Sequence, residues 1–324
     1  MRLKIFIFFT VTILQVGYSQ EETSKKPFES YTNQWVVHSS LGLNDSPFRL
    51  KGSFGSEDIL RYRSNLNPIM GIGVAHKWFA LNLNFKLPGY LRNTDDFGKT
   101  NYIDLGLQFE LNNWFLVGDI HRYTGFGIKN ANRINENLPV SNQNVFFNDQ
   151  LRTFSVSANA YQFLNKQFKM NPALGIVGRY LEETKSFYIK YAANGFSLRA
   201  DNGIMPSDFF QHTASIYEAQ AMGAFDIGAV PGFAYINNVD GWQYGFMSGV
   251  GAVIQLKSFT YQNITRAFLG LAPRVDIRAQ AGYNVEKWFL MLTSSFDNKS
   301  INFDDFNYRQ VYYALSLTYG YRFE

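Results

Sequence analysis

The stretch "DIHRY" sets Asp119, His121 and Tyr123 at alternate positions, so an extended chain would carry them on one side. A carboxylate two residues from an imidazole can orient it as a general base. Ser155 and Ser157 bring hydroxyls of the same parity in a later segment, which makes a Ser-His-Asp hydrolase the enzymatic reading. A hydrogen-bond ladder explains the same residues with fewer demands, because inward residues of neighbouring strands fall close together in any sheet. The ladder is preferred, and no catalytic residue is assigned.

Other motifs fail on spacing. "GKT" at 98–100 needs a glycine five positions before Gly98 to cradle phosphate, and Asn93 stands there. Gly71 and Gly73 begin a dinucleotide fingerprint, but His76 occupies the place of its third glycine. The four histidines, His38, His76, His121 and His212, have neither the i, i+4 spacing of a helical zinc site nor i, i+2 on a strand face. With no cysteine, thiolate sites and disulfides are excluded. No metal and no cofactor are expected.

The elements that must position these groups are strands. In "IDLGLQFEL", Ile103, Leu105, Leu107 and Phe109 alternate with Asp104, Gly106, Gln108 and Glu110. In "VDIRAQAGY", Val275, Ile277, Ala279 and Tyr283 alternate with Asp276, Arg278, Gln280 and Gly282. Segments of this kind recur near 34–43, 68–77, 78–87, 100–111, 114–128, 149–163, 168–184, 216–235, 241–257, 270–284, 287–298 and 308–323, and none has a helical period. Tight connections are expected at 76–78, 112–113, 164–167, 237–241 and 285–287. Long ones are expected at 45–67, 88–99, 129–148, 185–215, 258–269 and 299–307. Short turns at one end and long loops at the other are the plan of a bacterial membrane barrel. Both chain ends then lie at the turn end, which requires an even strand number: twelve here, with ten or fourteen as the alternatives.

Composition agrees. Of 324 residues 17% are aromatic, with 31 Phe and 20 Tyr. No later apolar run reaches the length of a membrane helix. "MRLKIFIFFTVTILQVGYS" has a basic start, an apolar stretch and small residues at 17 and 19, the pattern of a secretory signal peptide cleaved after Ser19. Removing it leaves 28 basic residues against 26 acidic, too even a balance for a nucleic-acid partner. The expected organisation is a signal peptide (1–19), an N-terminal periplasmic segment (20–32) and an all-β transmembrane antiparallel barrel (33–324) in the cell outer membrane.

In that frame the polar parity faces a lumen. Asp104, Asp119, His121, Arg179, Glu218, Asp226, Arg274, Asp276, Arg278 and Arg322 are expected to form a charge network there, with acids and bases paired because confined unpaired charges are costly. A ring of a single sign would have suggested ion selection, and none is evident. Trp35, Trp78, Trp114, Trp242 and Trp288 each begin a strand that runs away from the turn end. Together with Phe323 they are expected to form a periplasmic aromatic girdle.

Four stretches, "YRSNLNPIMGIGVAHKW", "FGKTNYIDLGLQF", "HRYTGFGI" and "LRTFSVSANAYQFLNKQFKMNPALGIVG", resemble a family of Bacteroidota outer-membrane barrels known as a domain of unknown function. They lie within residues 62–178. Ser64 replaces a proline of the pattern, and "KMNPA" replaces a stretch of small residues. The resemblance implies fold and location and transfers no functional residue. The expected function is a non-enzymatic accessory or structural barrel with a filled lumen. Its expected partners are outer-membrane lipid and another envelope protein complex. A narrow small-solute channel or transporter, a lipid-modifying enzyme using His121, and a partner in a secretion or assembly machine are the rival readings.

Overall fold

A computed structural model describes residues 26–54, 57–65, 68–87, 89, 91–209, 215–304 and 306–324. The signal peptide and its cleavage point lie outside the described residues. A short strand β1 (Phe28–Ser30) is followed by β2 (Trp35–Asp45), β3 (Phe48–Phe54), β4 (Glu57–Arg63), β5 (Pro68–His76), β6 (Phe79–Lys86), β7 (Asn101–Leu111) and β8 (Trp114–Ile128). Then come β9 (Phe146–Phe163), β10 (Gly178–Tyr180), β11 (Thr184–Arg199), β12 (Ala221–Val239), β13 (Trp242–Tyr261), β14 (Ile264–Asn284), β15 (Trp288–Asn302) and β16 (Asn307–Phe323).

Twelve of these strands close an antiparallel ring, the architecture of an outer-membrane β-barrel: β2, β5 to β9 and β11 to β16. The ring closes where β16 meets β2, from Tyr313 opposite Asp45 to Phe323 opposite Trp35. Closure removes the free edges that would otherwise invite aggregation. The alternation read from sequence decides which way each side chain points. Leu41, Ile72, Ile103, Val156, Ile227, Val250, Ile277 and Leu317 are exposed on the outer face, while Asp104, Asp226, Arg274 and Asp276 are buried within.

The turn end is made of tight hairpins. Lys77, Asn112 and Asp240 take positive φ, and Asp240 is followed by Gly241 at φ 86°, the backbone such turns require. At the other end, the loop end, the expected long connection at 258–269 is instead strand. β13 and β14 run on for 20 and 21 residues and join through Gln262 and Asn263, both at positive φ. Residues 299–302 are likewise strand, and Phe303 and Phe306 exchange backbone hydrogen bonds before β16 begins at Asn307.

Two further corrections concern the path of the chain. The segment 45–67 is not a plain loop: β3 and β4 form a hairpin built into the wall. β5 and β6 are only 9 and 8 residues long, so the wall beside them is low. The hairpin fills the gap above, with β3 pairing to β16 from Lys51 to Phe48 and β4 pairing to β8 at Tyr62 and Arg63. It adds two strands, so the even parity survives. The expected strand at 168–184 is wrong: the turn at 164–167 leads out of β9 but not into a barrel strand, and the expected loop at 185–215 is strand as far as Arg199. Pro172, Gly175 and Gly178 interrupt that segment, and proline is disfavoured inside a sheet. The sixth strand leaving the turn end is β11, whose Tyr188, Lys190, Ala192 and Asn194 point inward.

Candidate functional site

Among the described residues, sequence, burial and charge converge in the interior. It is filled at three levels. At the turn end, residues 164–183 fold back into the mouth of the barrel as a plug. A single helical turn, Met170–Ala173, leads to β10, which pairs with β1 through Phe28–Tyr180, Glu29–Arg179 and Ser30–Gly178. Phe168, Met170, Ala173 and Tyr180 pack against inward Phe115, Tyr161, Phe163, Tyr188 and Ile236 of the wall.

Irregular backbone in an interior must find hydrogen-bond partners. The wall supplies them from several strands. Glu110 of β7 accepts from the backbone N–H of Met170 at 2.5 Å and of Asn171 at 3.1 Å. Gln243 of β13 donates to the carbonyls of Pro172 at 2.8 Å and Ala173 at 2.7 Å, and accepts from the N–H of Tyr180 at 2.9 Å. From β14, Gln280 donates to Ala173 O at 2.5 Å and Asn284 to Gly178 O at 3.1 Å. Gly175 reverses the chain at φ 77°, a conformation that suits glycine.

Arg322, next to last in β16, is only 2% exposed and carries the largest share. Its guanidinium donates to the carbonyls of Gly175 at 2.5 Å, Ile176 at 3.1 Å and Gly178 at 3.4 Å in the plug. It also donates to Val285 O at 2.5 Å, Glu286 O at 3.0 Å and Asn284 Oδ1 at 2.8 Å. The rings of Tyr31 and Phe289 flank it at 4.7 and 5.0 Å. Tyr31 in turn donates to Glu29 at 2.9 Å, and burial first, then that hydrogen bond, pushes its phenol pKa up. Arg179 lies on the plug, not on a barrel strand, and pairs with Glu29 at 3.0 Å.

The middle level holds the charges. Arg274 pairs with the fully buried Asp226, which also accepts from Gln255 at 2.8 Å. Asp276 accepts from Tyr161 at 2.8 Å and faces Lys190 at 3.2 Å and Arg278 at 3.7 Å. Across the lumen, Asp104 accepts from Tyr102 at 2.5 Å and from Asn84 at 3.3 Å, and lies 3.3 Å from His121 Nδ1. Ser157 donates to Asp119 at 3.3 Å. Among the residues singled out from sequence, the structure thus joins Arg274 with Asp226, Asp276 with Arg278, and Asp104 with His121. It leaves Glu218 out: that residue is exposed in the connection before β12, with the Tyr261 hydroxyl as its partner. Lys190 and Lys299 were missed, although both are buried. Lys190 would have been found had the alternation "SFYIKYAAN" been read as a strand.

At the loop end the filling is apolar. Phe48, Leu50, Phe54, Leu60 and Tyr62 of the β3–β4 hairpin pack with Phe126, Phe196, Met205, Phe209 and Tyr308 in one buried cluster. Phe48 stacks on Tyr62 at 4.3 Å. Between this cap and the charges, the wall itself changes. The β14–β15 ladder ends at Asp276 opposite Asp297. Beyond it, carbonyls of β15 are met by inward side chains: Asn298 O by Arg274, Ser300 O by Gln255 at 2.8 Å, and Asn302 O by Lys257.

On the outside, the five tryptophans lie at the turn end, in or beside the first residue of a strand. Trp35 stacks on His76 at 4.4 Å, Trp78 on Phe109 at 5.8 Å, and Trp242 and Trp288 each approach Tyr283 at 5.6 Å. Trp114 approaches Tyr191 at 5.7 Å, and Phe323 is exposed opposite Trp35.

Residues 28–323 match the model of a family described as "Domain of unknown function (DUF4421)", and the chain belongs to that family. Among solved structures, the chain is similar to the outer membrane protease OmpT from Escherichia coli, with 9% identity and a TM-score of 0.40 over 94% of this chain and 100% of that one. It is also similar to an outer membrane channel from Pseudomonas putida F1, with 9% identity and a TM-score of 0.36 over 93% and 100% of the two chains. The toluene transporter TbuX from Ralstonia pickettii gives 9% identity and a TM-score of 0.32 over 89% and 90%. A comparison with curated proteins finds no match.

Proposed function

We propose that this chain is a closed outer-membrane barrel that serves as an accessory or structural subunit of a Bacteroidota-type envelope. Its apolar outer face would meet lipid, and its tryptophan rim would sit at the periplasmic interface, where an indole can be half dry and half wet. The observation that carries the reading is the plug held by Arg322. A buried guanidinium bonded to six acceptors is a fixture, since each acceptor orphaned by its departure costs about 1–3 kcal/mol.

The reading makes the protein neither a wide channel nor an enzyme. The cavity beside His121 has room for about one water molecule, far too little for a lipid. Ser157 is already engaged with Asp119. The test is conductance of the purified barrel in a planar bilayer, together with density-gradient fractionation of membranes. A steady open level would defeat the closed-barrel reading, and recovery with the inner membrane would defeat the location.

A further inference from the structure

On the outer face of the wall, the loop end carries a row of like charges. Register sets Arg309 of β16 opposite Arg49 of β3, and Arg49 opposite Arg61 of β4. The N–H of Lys129, just past β8, donates to Arg61 O, so Lys129 continues the row. All four are exposed and alternate with the buried Tyr308, Leu50, Tyr62 and Ile128 of the apolar cap. At about 4.8 Å between strands the row is roughly 14 Å long. Lys51 and Arg63, also exposed, flank it on β3 and β4.

Like charges directly opposite one another destabilise a sheet. Elsewhere at this end the fold neutralises such a pair: Arg152 and Arg199 face each other across β9 and β11, with Asp201 at 3.8 and 3.5 Å. The row has no such relief. Among the described residues, no ion pair includes any of its four cations. Asp45, in electrostatic range of Lys129, is buried and already accepts from Ser64 and Tyr313. Asp58 of the same hairpin has the opposite parity to Arg61.

Height along the wall identifies the counter-charge. Below Arg309, the same column of β16 is apolar and aromatic, with Tyr313, Leu315, Leu317, Tyr319, Tyr321 and Phe323 all exposed. At about 3.3 Å per residue and about 40° of tilt, Arg309 stands roughly 35 Å above Phe323. An apolar band about 25 Å tall ends below that level, so the row meets headgroups where the column meets acyl chains. Guanidinium groups take phosphate oxygens two at a time.

We infer that the row Arg309, Arg49, Arg61 and Lys129 binds the phosphate groups of a phosphorylated lipid of the outer leaflet, whose acyl chains lie along the apolar column beneath. The inference rests on the outer-membrane reading and adds a specific lipid site to it.

The test uses the intact barrel in mild detergent, titrated with bisphosphorylated lipid A and read by native mass spectrometry. A saturable complex is expected, and a much weaker one with the same lipid stripped of its phosphates. Arg49→Gln combined with Arg61→Gln should weaken lipid A binding by at least about tenfold, since each basic side chain contributes several-fold to the attraction for anionic lipid. Arg152→Gln combined with Arg199→Gln, at the neutralised pair, should leave it unchanged. All four positions are exposed, so both variants should keep the wild-type heat-induced gel shift. Equal binding of the dephosphorylated lipid, undiminished binding by the Arg49 and Arg61 variant, or an equal loss in the Arg152 and Arg199 variant would overturn the site. Inorganic phosphate binding as tightly as lipid A would overturn the lipid as its ligand. Because affinity is read in detergent, recovery of the protein with the inner membrane would defeat the location without altering these outcomes.

Discussion

The two ends of the barrel are closed by different physics. At the turn end the stopper is irregular chain, so its carbonyls and N–H groups must be met one by one, and Glu110, Gln243, Gln280, Asn284 and Arg322 do so. At the loop end the stopper is the β3–β4 hairpin, which satisfies its own backbone through pairing and can present an apolar face. A segment that lacks regular structure needs polar side chains aimed at it, whereas a regular one needs only shape and hydrophobicity. The polar end therefore depends on a few residues, and the apolar end on many.

Substitutions should separate the two. Arg322→Met should have the largest effect, because it orphans six acceptors, most of them buried, at about 1–3 kcal/mol each, with losses less than additive. It should lower the midpoint of the heat-induced gel-mobility shift by more than Phe48→Ala, Gln243→Leu or Trp242→Ala, and should bring on conductance as the plug loosens. Phe48→Ala removes a fully packed ring from the loop-end cluster and should destabilise by about 3–5 kcal/mol. Its conductance should stay at the wild-type level, since the plug is untouched. If Phe48→Ala opens the barrel and Arg322→Met does not, the assignment of roles to the two ends is reversed.

A smaller effect is expected at Gln243, where Gln243→Leu removes three bonds to the plug from a residue 1% exposed. Faster backbone hydrogen exchange confined to residues 168–180 would be the readout, and exchange unchanged there would show that the plug does not rely on this anchor. The smallest concerns the outer rim. Trp242→Ala should shift stability by about 1 kcal/mol, within the range of an aromatic pair, and should leave conductance unaltered.

Much of this was legible in sequence because a barrel writes its fold into period-two alternation. Ile103 to Glu110 and Val275 to Gly282 were assigned to their correct faces from pattern alone, whereas the count of twelve was reached with residues 168–184 standing in for β11. The plug was not legible for a physical reason. Phe168, Met170 and Tyr180 are all buried, so they repeat at even spacing as a strand would, although Pro172 and two glycines marked the segment as something else. Taking it as a strand pushed β11 into a supposed loop and hid Lys190. The hairpin at 48–63 was hidden in the opposite sense, since its strand pattern was real but its place in the wall depends on how short β5 and β6 are. Partners across the lumen, such as Arg274 with Asp226, follow from register and strand order, which only the closed ring fixes.

The central claim is that the plug held by Arg322 closes the barrel, and single-channel recording in planar bilayers tests it most directly. Wild-type protein should insert without a steady open level, and Arg322→Met should conduct in discrete steps under the same conditions. Steady conductance by the wild type, unchanged by Arg322→Met, would contradict the account.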